Sequence, residues 1–181
     1  MLWERTLNVV PYSSELQQLA ENFTSGNDYL DRFLRNTISL DPGYGKTYVW
    51  LSNDAQTILG YYNIGTGSVD EEQAGIRLKL GGAVTINCFA LDQDFHGQTK
   101  GYTADGNKIN LSDMLLLDCL EQIEILRQEY IGFSFVTLCA TAEGYSLYKR
   151  NGFDDLDNSL HFSIEDEPTR GVKMYYAMDI E

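Results

Sequence analysis

The sequence predicts an α/β domain of the α+β kind, with a mixed, mostly antiparallel sheet and helices on both faces. Three observations carry this. Residues 133–140 form an almost unbroken apolar run rich in aromatic and β-branched side chains, bounded by Gly132 and Thr141, as a buried strand requires. Directly after it Ala142, Tyr145 and Tyr148 recur at helical spacing, and Asn151-Gly152 follows, a pair suited to ending a short helix in the left-handed conformation. Two strand-like runs, 47–51 and 57–64, are separated by Asn53-Asp54, which supplies hairpin chemistry and an antiparallel pair.

In chain order, residues 2–10 alternate loosely and stop before Pro11, which suits an opening strand. Ser14 with Gln17 three residues on has the form of a capping box for a helix to about residue 21, with Leu16 and Leu19 inside. Asn27 caps a second helix in which Leu30, Phe33 and Leu34 face inward while Asp28, Asp31, Arg32 and Arg35 look outward. Residues 41–45 signal a loop. Residues 65–75 are polar and carry Asp70, Glu71 and Glu72, so they read as a solvated loop or flap. From Ile76 the chain is strand-like again, with Gly81-Gly82 dividing IRLKL from AVTINCFAL. A helix over about 110–128 presents Leu116, Leu120, Ile123 and Leu126 to the core and leaves Asp113, Asp118, Glu121 and Glu124 in water. Residues 154–171 read as an acidic loop with a short strand near 160–164, in which His161 is exposed or structural. Residues 172–180 alternate and form the closing strand, antiparallel to 133–140.

Composition narrows the function classes. A chain of 181 residues is long enough for one well-buried domain and short for two, so residues 1–181 are expected to form a single domain. A net charge of −14 argues against a broad basic surface, which makes nucleic acid a disfavoured partner. The opening MLWERTLNVVPYSSE has no signal-peptide pattern and no apolar span reaches membrane length, so a soluble, cytoplasmic protein with no membrane partner is expected. Cys88, Cys119 and Cys139 lie in apolar surroundings without the paired spacing of a zinc site, and read as reduced core residues; no metal is expected.

The run TAEGYSLYKRNGF resembles the GNAT superfamily of N-acetyltransferases, whose members follow a strand with roughly N-x-x-A-x-x-x-Y-x-x-x-G-F. Tyr148, Gly152 and Phe153 match outright, while Thr141 and Gly144 stand where the Asn and Ala would be. GNDYLDRFL, TYVWLSNDAQTILGYYNI and MYYAMDI follow the family's order, and together the pieces look closest to the branch of tRNA-acetylating toxins. The resemblance implies a parallel strand pair, ending near Leu91 and Ala140, that splays apart to take the arm of acetyl-CoA (coenzyme A). Ala90 and Leu91 would present backbone groups, with the Leu91 amide polarising the thioester carbonyl and Thr141 at the head of the motif. Tyr148 would protonate the departing thiolate.

The phosphate loop departs from the family's R/Q-x-x-G-x-G/A. Gly97 and Gly101 of HGQTKG lie near the expected distance, but Thr99 takes the inner glycine position and YTADGNKIN intervenes before the helix. Because anion binding needs an adjacent helix N-terminus, Asn110 and Ser112 are the preferred phosphate contacts, with Lys108 as a nearby cation and Asp113 as a competing carboxylate. The insertion 96–109 is either a lid over the cofactor or a decoration on a fold that no longer binds it. Asp92 and His96 are the nearest candidates for a base, though both also suit a turn, and no base is assigned.

Two functions follow. One is acetyl transfer to a primary amine, with a small molecule or peptide favoured over aminoacyl-tRNA on charge. The other is a noncatalytic interaction or regulatory module on the same fold. A homodimer is open to either.

Overall fold

The computed structural model describes residues 7–163 and 171–178. Strands β1 (Val9–Pro11), β2 (Lys46–Leu51), β3 (Ile58–Gln73) and β4 (Ile76–Leu91) come first, with helix α1 (Asp28–Arg35) between β1 and β2. A hairpin of β5 (Thr99–Tyr102) and β6 (Lys108–Asn110) then leads into α2 (Leu111–Glu129). Strand β7 (Phe135–Ala140), helix α3 (Tyr145–Arg150) and strands β8 (Asp154–Asp155), β9 (Leu160–His161) and β10 (Val172–Ala177) complete the described chain. The sheet order is β1-β2-β3-β4-β7-β10-β8, with β9 on β3 and the β5-β6 hairpin apart. Strand β4 runs parallel to β7, whereas β1-β2, β7-β10, β8-β10, β3-β9 and β5-β6 are antiparallel. The mixed, mostly antiparallel architecture read from the sequence is therefore present. Contacts group the chain into two compact units, Met1–Asn63 with Cys88–Gln122, and Ile64–Asn87 with Ile123–Glu181.

The first unit is built on an aromatic core. Tyr12, Phe23, Leu34, Val49, Ile58, Tyr61, Cys88 and Ala90 are buried together, and Leu16, Leu19, Leu30 and Phe33 pack against them. Asn27 caps α1 as expected, its side-chain oxygen accepting from the Tyr29 and Leu30 amides at 3.0 and 3.3 Å. The capping box at Ser14 does not form. Residues Ser14–Asn22 make a 3-10 helix with Ser13 at the cap position and no side-chain cap bond, and Gln17 donates instead to the Arg35 carbonyl. Asp31 and Arg35 also turn inward rather than outward. Asp31 is buried and accepts from the Ser25 amide and hydroxyl at 2.8 and 2.6 Å, while Arg35 donates to the carbonyls of Phe23 and Ala20. Both charges are satisfied by main chain and hydroxyls from residues 20–25, which helical spacing cannot report.

Strand β1 begins at Val9, leaving residues 7 and 8 of the expected strand outside it, and residues 2–6 of that expectation lie outside the described residues. Asp113 and Asp118 of α2, expected in water, are buried; Asp118 accepts a hydrogen bond from the Tyr62 hydroxyl at 2.9 Å. The buried face of α2 is Leu111, Leu115, Leu116, Cys119 and Ile123, with Leu120 and Leu126 only half-buried.

The second unit corrects the largest misreading. Residues 65–75 are not a loop: β3 continues to Gln73, turns through Ala74-Gly75 at φ 53° and 78°, and returns as β4 without a break at Gly81-Gly82. Two left-handed residues are what a tight hairpin needs. The acidic side chains that suggested a loop have cross-strand neighbours, since Asp70 and Glu71 pair in register with His161 and Leu160 of β9. Glu72 lies 3.2 Å from His161 Nε2 and 3.9 Å from Arg77. Further along, β4 runs parallel to β7 from Ala83↔Phe135 to Ile86↔Leu138, with Thr85 and Thr137 sharing a hydrogen bond of 2.8 Å. Strand β10 pairs antiparallel with all of β7, from Val172↔Ala140 to Ala177↔Phe135. Ile164 and residues 179–180, at the ends of two expected strands, lie outside the described residues.

Candidate active site

In the second unit, Thr141 ends β7 and starts the turn into α3. Its carbonyl accepts from the Tyr145 amide at 3.0 Å, and its hydroxyl oxygen accepts from the Gly144 amide at 3.2 Å. This fastens a helix of only six residues, too short to hold itself. Helix α3 ends as the Asn-Gly pair predicts: Gly152 takes φ +91°, and the Phe153 amide donates back to the Tyr148 carbonyl at 3.1 Å. The Tyr148 side chain is 7% exposed, its ring edge-on to Phe153 at 5.7 Å, and Phe153 in turn packs on Tyr176. A Cβ on Gly144 would lie 3.2 Å from the Tyr148 ring, so the turn before α3 closes down on that ring. Thr141 and Tyr148 are thus brought together on one capped turn. Beside them the Tyr145 hydroxyl donates to both carboxylate oxygens of Asp155, at 2.9 and 3.0 Å, which raises its pKa, and Lys149 pairs with Asp154 and Asp155.

In the first unit, β4 ends at Ala90 and Leu91, both buried. The absence of a side chain at Gly60 matters here, because a Cβ would meet the Ala90 carbonyl oxygen at 2.9 Å. The two residues weighed as bases hold the strand exit. His96 Nε2 lies 2.8 Å from the Leu91 carbonyl oxygen, and Asp92 accepts from the amides of Asp94 and Thr24 at 3.0 and 3.3 Å. The Asp92 amide itself donates to the Leu59 carbonyl at 2.8 Å.

The insertion is a two-stranded hairpin. Thr99 pairs with Asn110, Gly101 with Ile109 and Tyr102 with Lys108, with a bulge between Thr99 and Gly101. Its turn closes through Thr103 N–H to Asn107 O at 2.8 Å, with Gly106 at φ +80°. Strand β6 passes straight into α2, so Lys108, Asn110 and Ser112 lie on one continuous run, Lys108 exposed and the other two half-buried. The first turn of α2 already has an acceptor of its own: Asp113 is 6% exposed, and its carboxylate accepts from the Asn110 amide at 2.8 Å. The Leu111 amide donates to the Gln98 carbonyl at 3.1 Å. The spelling Asn110-x-x-Asp113 is the signal for this closure, the carboxylate half of a capping box with Asp in the Glu position, while the Asn110 Oδ1 accepts from the Thr99 hydroxyl.

Burial raises the pKa of Cys88 to about 12 and that of Cys119 well above its ordinary value, so both thiols are inert. Among the described residues no cluster of His, Cys, Asp and Glu could hold a metal ion, and no helix is long and apolar enough to cross a membrane.

No family model and no curated protein matches the sequence. Solved structures do. AtaTR bound with AcCoA superposes with a TM-score of 0.69 at 17% identity, covering 94% of this chain and 93% of that one. AtaT complexed with acetyl-methionyl-tRNAfMet gives 0.65 at 19% identity, covering 87% and 94%. The KacTA-DNA complex gives 0.65 at 19% identity, covering 87% and 92%. These neighbours overturn the expectation that nucleic acid is an unlikely partner and that the acceptor is a small-molecule or peptide amine, because proteins of this architecture are solved with tRNA and with DNA. Net charge sums the whole surface, whereas phosphate contacts are local, so the −14 total was the wrong quantity to consult. At these identities the likeness establishes architecture, and on that footing the chain has the GNAT fold, in the form seen in AtaT and KacT.

Proposed function

We propose that the chain is an acetyl-CoA-dependent N-acetyltransferase whose acceptor is the free amine of an aminoacyl-tRNA. The observation that carries this reading is the seating of Tyr148, buried on a two-turn helix that Thr141 fastens to the end of the strand lying parallel to β4. In the proposed reaction the amine nitrogen attacks the thioester carbonyl carbon, the carbon–sulfur bond breaks, the thiolate takes the phenolic proton of Tyr148, and the proton that the nitrogen sheds passes to solvent, from which the phenol is restored. The Leu91 amide, beside Ala90 on β4, polarises the carbonyl. The registered β4-β7 ladder ends at Ile86↔Leu138 while β4 runs on to Leu91, which supports a role for that stretch in receiving the arm of the donor. Donors aimed at a developing oxyanion contribute about 3 kcal/mol to such a barrier. The solved complexes of AtaT with acetyl-CoA and with acetylated methionyl-tRNA support both donor and acceptor.

The self-capped start of α2 favours a second reading, a module with the same fold and no turnover. One experiment separates the two: the purified chain is heated with and without acetyl-CoA, then incubated with acetyl-CoA and methionyl-tRNA. The enzyme reading expects a raised melting temperature, since a ligand at a hundred times its Kd stabilises by about 2.7 kcal/mol, and acetyl-methionine on the tRNA by mass spectrometry. No shift and no acetylated product would leave the noncatalytic module.

A further inference from the structure

We propose that the β5-β6 hairpin is a contact for single-stranded RNA, stacking an unpaired base on Tyr102 and holding the flanking phosphates with Lys100 and Lys108. This rests on the reading of tRNA as acceptor. Tyr102 is 65% exposed, and its in-register partner across the ribbon is Lys108, so ring and cation share one face. Lys100 sits at the bulge two residues before Tyr102, also exposed.

What distinguishes these cations is their place beside an exposed ring. Elsewhere Arg77 lies near Glu72, Arg127 near Glu124 and Lys149 near Asp154, while Arg35 and Lys173 donate to carbonyls. The side chains of Lys100 and Lys108 have no ion pair or hydrogen bond among the described residues, as is also true of Lys46 and Lys79. The segment 96–110 holds these two lysines against the single carboxylate Asp105, a local balance of +1 in a chain of −14. A phosphate backbone approaching this protein is repelled by most of its surface and accepted at such a place.

The ring decides the partner class. An acidic peptide would use the lysines and leave Tyr102 idle, whereas an unpaired nucleotide uses both, its base on the aromatic face and its phosphate on the ammonium. The ribbon is anchored for the purpose, with Leu111 N–H to Gln98 O at 3.1 Å and the Thr99 hydroxyl to Asn110 Oδ1 at 3.3 Å closing its base. Lys108, set near the phosphates by its place before a helix N-terminus, is here assigned to RNA.

The test uses the full chain and deacylated tRNA with its unpaired 3′ end, titrated over a range of salt. Tyr102→Ala is expected to weaken binding about tenfold and Tyr102→Trp to restore it. Replacing Lys100 and Lys108 together by Ala should lower the slope of log K against log salt by about 1.4, two phosphates at roughly 0.7 each for a single strand. The melting-temperature shift with acetyl-CoA should be the same in Tyr102→Ala, Tyr102→Trp and Lys100→Ala as in the unaltered chain. Unchanged RNA affinity and salt slope in the variants, with methionyl-tRNA still acetylated, would overturn the hairpin assignment and leave the acceptor reading standing. If the unaltered chain neither binds nor acetylates the tRNA, both fall. Loss of the acetyl-CoA shift in Lys108→Ala alone would return that lysine to the donor and overturn the proposal.

Discussion

The starts of α2 and α3 present the same backbone problem and solve it differently. Each helix opens with amide groups that lack an intrahelical acceptor. At α3 a neutral hydroxyl, that of Thr141, takes the Gly144 amide, and the turn closes on the ring of Tyr148. At α2 a carboxylate, Asp113, takes the Asn110 amide and brings a negative charge to the positive end of the helix. The difference teaches that one helix start holds a ring in place with a neutral cap while the other carries a charge of its own. A motif can persist around a phenol while the start of another helix carries its own carboxylate.

The comparison breaks most sharply at Tyr148. Tyr148→Phe is expected to lower the rate of thiol release from acetyl-CoA by at least about 100-fold with acetyl-CoA binding retained, as loss of a general acid requires. A rate within threefold of the unaltered protein would strip α3 of its chemical role. Next comes Asp113→Asn, which keeps an oxygen for the Asn110 amide and removes the charge. Acetyl-CoA should then bind about tenfold more tightly by calorimetry, the scale of one relieved like-charge contact near a helix start. Unchanged affinity would mean that the phosphates do not use this helix end.

Thr141→Ala sharpens the other side. Losing this cap should destabilise by about 1 kcal/mol, a fall of roughly 2–4 °C in melting temperature for a chain of this size. The smallest effect is alkaline. Cys88 and Tyr12, both in the first unit, are raised to about 12 mainly by burial, so their neutral forms are held in the folded state. Their stabilisation is complete below the ordinary values of 9.0 and 10.0 and is lost as pH rises toward about 12. At pH 10 the thiol should account for a loss of about 1 kcal/mol relative to pH 8, read as a shallower pH slope in Cys88→Ala.

Most of the α3 region was legible because its determinants are local. The β7 run, the Asn151-Gly152 stop and the tyrosine that Phe153 packs against all lie between residues 135 and 153, and the Asn27 cap of α1 is as local. The Asp113 closure was half legible: its competition with phosphates was anticipated, but its bond to Asn110 was missed because the cap residue was assigned to a ligand. The charge argument failed for a different reason, since summing 27 acidic against 13 basic residues discards where each one points.

By itself the sequence determined what short-range chemistry can determine, namely the strands and helices with clear periodicity, the turn glycines, and the order of pieces that resembles GNAT proteins. Tertiary structure alone decided the long β3-β4 hairpin, whose acidic stretch becomes a strand once β9 lies along it. It also decided the inward turn of Asp31 and Asp118, whose partners include residues as distant as Tyr62. The physical reason is common to these cases. A polar side chain is as stable in a buried network as in water when its hydrogen bonds are complete, and the groups that complete them come from chain segments that local spacing cannot see.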